Sequence, residues 1–129
     1  MNLNPTTGPA VNTPALPAWL SLHRQVAVVT GGGTHLGLAM ATGLAELGAT
    51  VYLLGRREDV VRTSAAELVA RGLSAHAVAA DAADEVVMEQ VVQDIVRAHG
   101  RLDVMVCNAG GGIGAAMATQ HSGAAVAVQ

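Results

Sequence analysis

The residue types that could do chemistry lie in a glycine-rich turn after a short apolar run. Residues 26–29 are all apolar, and Gly31, Gly32 and Gly33 follow one residue later. Glycine has no Cβ, so its backbone can take positive φ and can approach a phosphate closely. A helix that starts directly after such a turn offers free N–H groups and the positive end of its dipole. The turn therefore predicts a pyrophosphate site, and a tight structural turn without a ligand is the alternative.

Side chains for acid–base, nucleophilic or metal chemistry are sparse. The chain has no lysine, one tyrosine (Tyr52) and one cysteine (Cys107). We expect Cys107 to be a small buried residue near a strand end, because nothing in the sequence marks it as a nucleophile. The histidines lack the paired spacing of a metal site. They are His23, His35, His76, His99 and His121. The sequence therefore assigns no catalytic residue and no metal ligand.

A regular alternation of strands and helices must position the turn. Strands are predicted at about 24–30, 50–55, 74–80 and 103–107, and helices at about 35–47, 57–71 and 84–99. Short connections between them are typical of a parallel sheet with helices on both faces. Right-handed crossovers give the strand order 3-2-1-4, with a crevice at the carboxyl ends of strands 1 and 4. The predicted fold is α/β, a Rossmann-like doubly wound sheet of about four strands with three helices.

Apolar periodicity predicts the buried face of two helices. On the first helix the predicted buried residues are Leu36, Met40, Leu44 and Leu47. On the third they are Val87, Met88, Val91, Val92, Ile95 and Val96. Asp84 is placed to cap the third helix. Glycines stand where the three helices should end, as is common just beyond a helix C-terminus; they are Gly48, Gly72 and Gly100.

Composition predicts the boundaries and excludes several classes. All four prolines fall within residues 1–17, and no Lys or Arg precedes Arg24, so residues 1–22 are predicted to be a flexible arm. The domain is predicted over 23–112, followed by an Ala- and Gly-rich tail over 113–129. A net charge of −3 with dispersed arginines argues against nucleic acid and anionic membranes. A single cysteine and no secretory signal favour the cytoplasm.

Four motifs follow one another in order along the chain. Residues 30–37 read Thr-Gly-Gly-Gly-Thr-His-Leu-Gly, Asp81 follows the third strand, residues 100–103 read Gly-Arg-Leu-Asp, and residues 108–110 read Asn-Ala-Gly. Over residues 22–112 the chain thereby resembles the short-chain dehydrogenase/reductase family. The first motif is similar to the family's Thr-Gly-x-x-x-Gly-x-Gly turn, with His35 in place of the middle glycine.

The resemblance implies a bound dinucleotide, NAD or NADP. Asp81 resembles the aspartate that contacts the adenine amine, with a cap or turn role as the alternative. Asn108 resembles the asparagine that supports both the sheet and the active-site relay. We expect His35 to be tolerated as a residue with helical φ and ψ, the alternative being loss of cofactor binding. The implied cofactor-binding residues are Gly31, Gly33, Thr34, His35, Leu36, Gly37, Arg56, Arg57, Asp81, Asn108, Ala109 and Gly110.

The end of the second strand predicts which dinucleotide is preferred. An acidic residue there would bind the ribose hydroxyls of NAD and repel a 2′-phosphate. The chain instead has Gly55 followed by Arg56 and Arg57. A guanidinium offers a charged fork to phosphate oxygens, which favours NADP, with Arg56 as the stronger candidate. NAD binding with two solvated arginines is the alternative.

The family's chemistry uses a serine, a tyrosine and a lysine four positions after the tyrosine, and this set cannot be assembled here. Tyr52 lies inside a predicted strand, Ser122 comes too soon after the fourth strand, and lysine is absent. Three interpretations stay open: the cofactor half of an NAD(P)-dependent oxidoreductase that is inactive alone, a non-catalytic nucleotide- or partner-binding module, and a non-functional remnant. An open edge on the fourth strand predicts self-association or aggregation.

Overall fold

The computed structural model describes residues 17–109, which form one four-stranded sheet with three helices. The strands are β1 (Val26–Thr30), β2 (Thr50–Gly55), β3 (Ala75–Ala79) and β4 (Val104–Val106), and the helices are α1 (His35–Glu46), α2 (Glu58–Ala70) and α3 (Glu85–His99). All strands are parallel, in the order β3-β2-β1-β4. The predicted fold class and strand order are therefore confirmed. Gly110, the tail at 113–129 and residues 1–16 of the predicted arm lie outside the described residues.

The helices are divided unequally between the two faces of the sheet. On one face, alternate residues of β1 and β2 pack against α1 and α2. On the other, Val26, Val28 and Leu54 pack with Ile95 of α3. Right-handed crossovers require this division, because the chain moves outward through α1 and α2 and then returns across the sheet through α3. Residues 26–29 are consequently at most 3% exposed, as a strand covered on both faces should be.

Small residues of α1 face the sheet, which corrects the predicted leucine stripe. Gly37, Ala41 and Ala45 are buried at successive turns, whereas Leu36 is 65% exposed. The other predicted residues are only partly buried; they are Met40, Leu44 and Leu47. Because α1 lies close to β1 and β2, only glycine and alanine fit directly between them, and the larger side chains flank the contact.

Helix α3 is capped as predicted but less buried than predicted. Asp84 Oδ1 accepts hydrogen bonds from Val86 N and Val87 N at 3.1 Å each, and Gly100 ends the helix with φ 76°. Only Ile95 of the predicted stripe is fully buried, and Val96 is 41% exposed. Within the described part of the chain, α3 is alone on its face of the sheet, so no second helix covers its flanks. None of the helices in residues 17–109 has the length and apolar character needed to span a bilayer.

Asp103 fastens the start of β4 to the start of β1. Its Oδ2 accepts the Val26 N–H at 2.8 Å, while the Arg101 guanidinium donates to both carboxylate oxygens at 2.7–3.0 Å. These bonds, first the Arg101 hydrogen bonds and then the Val26 N–H, lower the pKa of the Asp103 carboxyl below its ordinary value. The contact holds the amino ends of the two strands that border the predicted crevice.

Candidate functional site

The carboxyl ends of β1 and β4 meet at the Thr30 hydroxyl. Thr30 is 3% exposed, and its Oγ1 accepts the backbone N–H groups of Asn108 at 2.9 Å and Ala109 at 3.0 Å while donating to Val106 O at 3.3 Å. One donor and two acceptors are the full capacity of a hydroxyl group. Thr30 opens the glycine-turn motif but is not among the site residues predicted from the sequence. One feature of the sequence could have identified Thr30 as a site residue: it is a hydroxyl residue at the last position of a buried apolar strand.

The glycine turn lies directly against the segment that follows β4. Gly31 has φ 62°, and a Cβ there would lie 3.1 Å from both Nδ2 and O of Asn108. The Asn108 side chain in turn donates to Gly31 O at 3.4 Å. A Cβ on Gly37 would overlap the Gly31 carbonyl oxygen, so only glycine lets α1 start this close to the turn. The structure therefore brings the predicted residues Gly31, Gly37 and Asn108 together.

The amino end of α1 has the chemistry of an anion site. Thr34 is the N-cap residue, but its side chain makes no capping hydrogen bond, and the first turn contains no acidic residue. At α3, by contrast, the side chain of Asp84 caps the first turn by accepting two backbone N–H groups. Uncapped N–H groups next to glycines without room for a Cβ fit a pyrophosphate, whose oxygens accept hydrogen bonds. Thr34 and Leu36 are both exposed at this end of the sheet.

His35 does not have the helical φ that was expected from the sequence. Its φ is +51°, in the left-handed region, although α1 begins at this residue. That expectation is wrong: the turn takes positive φ at this position, a conformation that glycine adopts without the crowding of a Cβ. The side chain of His35 is exposed. The backbone thus follows the path of a glycine at this position.

A second cluster of predicted residues forms where β2 and β3 end. An open cavity of about 360 Å³ is lined by Arg56, Ala79, Ala80, Asp81 and Val87. Arg56 and Asp81 therefore line the same cavity, as expected if both contact the adenosine end of one dinucleotide. Asp81 Oδ1 also accepts the backbone N–H of Ala83 at 2.9 Å, so the turn role considered for Asp81 is present too.

Arg57 differs from Arg56 in its place at this site. It is the N-cap residue of α2 and is exposed, and it does not line the cavity at the ends of β2 and β3. Arg56, which the sequence favoured as the phosphate ligand, therefore lines the cavity, and Arg57 does not.

Two other residues with chemical potential lie apart from these clusters. Cys107 is exposed just beyond β4, which corrects the expectation that it is buried. The reason is that β4 ends at Val106 and lies at an edge of the sheet among the described residues.

Tyr52 lies within β2 as predicted, with its hydroxyl 2.7 Å from His99 Nε2, and burial raises its pKa. Within residues 17–109, no group of three or more His, Cys, Asp or Glu side chains could hold a metal ion.

Comparisons with known proteins agree with this geometry. The family model of the short chain dehydrogenases matches residues 25–127. An uncharacterised oxidoreductase of Mycobacterium tuberculosis is 42% identical over 90 residues, which cover 70% of this chain and 34% of that protein. A metagenomic short-chain oxidoreductase, solved in complex with NADP, is 41% identical with a TM-score of 0.67, and the match covers 70% of this chain and 41% of that one.

A further solved structure shows the same partial coverage. The Pseudomonas aeruginosa protein RhlG, solved as an NADP active-site complex, is 33% identical with a TM-score of 0.67, and the match covers 74% of this chain and 38% of that one. The chain thus spans between 34% and 41% of the length of these three proteins. Because the family match extends over most of the sequence and the fold and turn geometry agree with it, the chain belongs to the short-chain dehydrogenase family.

Proposed function

We propose that this chain is the cofactor-binding half of an NAD(P)-dependent oxidoreductase and that it binds NADP in preference to NAD. The observation that carries the proposal is the junction at the carboxyl ends of β1 and β4, where the Thr30 hydroxyl joins the glycine turn to Asn108 and Ala109. Two similar proteins were solved with NADP. The domain that binds the cofactor would comprise residues 23–112.

Each cluster would bind a different part of the dinucleotide. The pyrophosphate would accept hydrogen bonds from the backbone at the start of α1, around Gly33, Thr34 and His35. Asn108 and Ala109, followed in sequence by Gly110, border the other side of the crevice. When bound, the nicotinamide supplies hydride transfer.

The adenosine end of the dinucleotide would occupy the open cavity at the carboxyl ends of β2 and β3. Arg56 would pair with the 2′-phosphate, and Asp81 would accept a hydrogen bond from the adenine amine through the carboxylate capacity that Ala83 leaves free. The preference for NADP rests on Arg56, because its side chain lines this cavity and that of Arg57 does not.

The 129-residue chain should bind cofactor without turning over. It contains no lysine, and its one tyrosine lies within β2 with its hydroxyl at His99. Proton transfer to or from a substrate oxygen needs a positioned acid or base. The serine, tyrosine and lysine of the family's chemistry are not assembled in the described residues, so we assign binding, and not catalysis, to this chain.

Fluorescence titration with NADPH and NADH tests the proposal. We expect saturable binding of both cofactors, with NADPH the tighter. Replacing Arg56 with alanine should reduce the preference for NADPH about tenfold, the size expected for a lost charged hydrogen-bond pair. Arg57→Ala is the matched control and should keep the preference. Absence of saturable NADPH binding by the folded chain would reject the proposed site, and equal affinities in the wild-type chain would reject the preference alone.

A further inference from the structure

Ser64 makes a contact that the sequence did not predict. It lies in the second turn of α2, is 6% exposed, and donates through its hydroxyl to Gly33 O at 2.6 Å. The other helical hydroxyls with recorded bonds, Thr42 and Thr63, donate to the carbonyl four residues earlier in their own helix. That local bond is the usual one for a hydroxyl inside a helix. Ser64 instead bonds a carbonyl 31 residues away, in the glycine turn.

Close packing against α2 restricts the backbone conformation of the glycine turn. A Cβ on Gly33 would come within 3.0 Å of a methyl group of Val60 and of Val61, so α2 lies directly against the turn. On the other side, Gly32 N donates to Leu54 O of β2 at 3.0 Å. The Ser64 hydroxyl is therefore the polar member of a close contact between α2 and the turn.

The hydrogen bond fixes the orientation of a peptide group. Because a peptide unit is planar and trans, holding the Gly33 carbonyl toward α2 turns the Thr34 N–H in the opposite direction, away from α2. Thr34 is the N-cap of α1, where the proposed pyrophosphate site begins. We infer that Ser64 is a positioning residue, which orients the glycine turn so that its backbone is ready to bind the dinucleotide pyrophosphate. This inference rests on the proposed cofactor site.

The contact also gives α2 two roles in the same site. Its N-cap residue, Arg57, follows Arg56, the candidate for the 2′-phosphate, and its second turn contacts the glycine turn through Ser64. Loss of the Ser64 hydroxyl should therefore weaken every ligand that carries a pyrophosphate. A ligand that has only the 2′-phosphate and the adenosine should bind as before.

The test compares three variants of the 129-residue chain. Ser64→Ala removes the hydroxyl, Ser64→Cys fills the space with a slightly larger group that is only a weak donor, and Thr63→Ala removes a neighbouring exposed hydroxyl as the matched control. Dissociation constants for NADPH and NADH are measured by fluorescence. Those for adenosine 2′-monophosphate, which lacks the 5′-phosphate, are measured by NMR. Circular dichroism gives the folded fraction of each variant.

We expect both Ser64 variants to bind NADPH and NADH about tenfold more weakly, as for the loss of one buried hydrogen bond. Binding of adenosine 2′-monophosphate should stay unchanged, and Thr63→Ala should match the wild type. The inference is overturned if Ser64→Cys retains affinity, which would indicate packing alone, or if all three ligands weaken in proportion, which would indicate general destabilisation. If the wild-type chain does not bind NADPH, the cofactor site is rejected and the positioning role falls with it. If the wild type binds but the Ser64 variants match Thr63→Ala, only the positioning role is rejected.

Discussion

At the scale of single residues, His35 is the feature that departs furthest from the family pattern. A left-handed conformation costs an ordinary residue about 1–2 kcal/mol, because the Cβ crowds the following carbonyl. Histidine is among the few non-glycine residues enriched there. With φ +51°, His35 adopts a backbone conformation that glycine takes readily. The left-handed conformation of His35 therefore lowers the free energy of unfolding, while the turn keeps its shape.

Replacing His35 with glycine should stabilise the chain by about 0.5–1 kcal/mol, because relief of the left-handed strain exceeds the greater freedom of glycine in the unfolded chain. NADPH affinity should be unchanged or weaker, since the turn already has the required path. Urea unfolding and NADPH titration measure the two effects. Arg24, with φ 67° before β1, is the matched control: Arg24→Gly should give a similar gain with no change in affinity. Tighter NADPH binding by His35→Gly would mean that the imidazole obstructs the cofactor.

Thr30 is the residue on which the crevice depends most. Thr30→Val keeps the shape of the side chain but leaves two backbone N–H groups, those of Asn108 and Ala109, without their acceptor. We expect a loss of about 1–3 kcal/mol in the free energy of unfolding, the range for an unsatisfied buried polar group. Thr30→Ser should lose much less. Thr42→Val, which removes a hydroxyl bonded within its own helix, serves as the control in urea unfolding. Equal losses at Thr30 and Thr42 would contradict the importance given to this hydroxyl.

At the scale of elements, the sequence predicted the strands, the helices and the strand order. On α3 the predicted residues Val87, Met88, Val91 and Ile95 pack against the sheet, whereas on α1 the most deeply buried residues were not predicted. Glycines at helix ends, the Asp84 cap and the short connections are local signals, and local signals define where elements begin and end. Burial depends on how near two elements come. Gly37, Ala41 and Ala45 are buried because α1 lies close to the strands, and apolar periodicity gives such small residues little weight.

The same limit applies to the site. Motif order predicted that the glycine turn, Asp81 and Asn108 follow the carboxyl ends of β1, β3 and β4, and in the structure they do. The bonds made by Thr30 and Ser64 join residues 78 and 31 positions apart, and no local pattern contains their partners. Long-range polar contacts of this kind follow from the tertiary structure alone.

The Asp103 contact between β1 and β4 should make stability depend on pH. Its folded-state pKa lies below the ordinary value of 3.8, so the ionised carboxylate favours the folded state. The stabilisation is complete above that ordinary value and is lost as the pH falls through the lower folded-state pKa. The difference in unfolding free energy between the wild type and Asp103→Asn should therefore be constant near neutral pH and shrink below about pH 4.

Urea unfolding across this pH range measures the difference. Asp94→Asn is the control, because Asp94 is an exposed α3 residue whose ion pair with Arg97 lies on the surface. Its difference from the wild type should be small at every pH. A difference for Asp103→Asn that persists unchanged to the lowest pH at which the chain folds would contradict the assignment.

At the scale of the whole molecule, the chain spans between 34% and 41% of the length of the three proteins compared above, and β4 lies at an edge of the described sheet. Among residues 17–109, β4 pairs with β1 on one side only. Met105 is partly buried against the α3 face, and Val86 of α3 is 78% exposed. An unpaired apolar strand is a template for pairing with another chain. We therefore propose that the 129-residue chain self-associates through β4.

Sedimentation at micromolar concentration tests the association and its location. The wild-type chain should associate in a concentration-dependent way, and Met105→Lys should shift it toward monomer, because a charge on an edge strand opposes pairing. Val86→Lys places the same charge on an exposed apolar site of α3 and should leave the association as it is. Circular dichroism is used to check that both variants fold. A monomeric wild-type chain would refute the association. Equal effects of the two substitutions would indicate that the contact lies on the apolar face covered by α3 and not at the edge of β4.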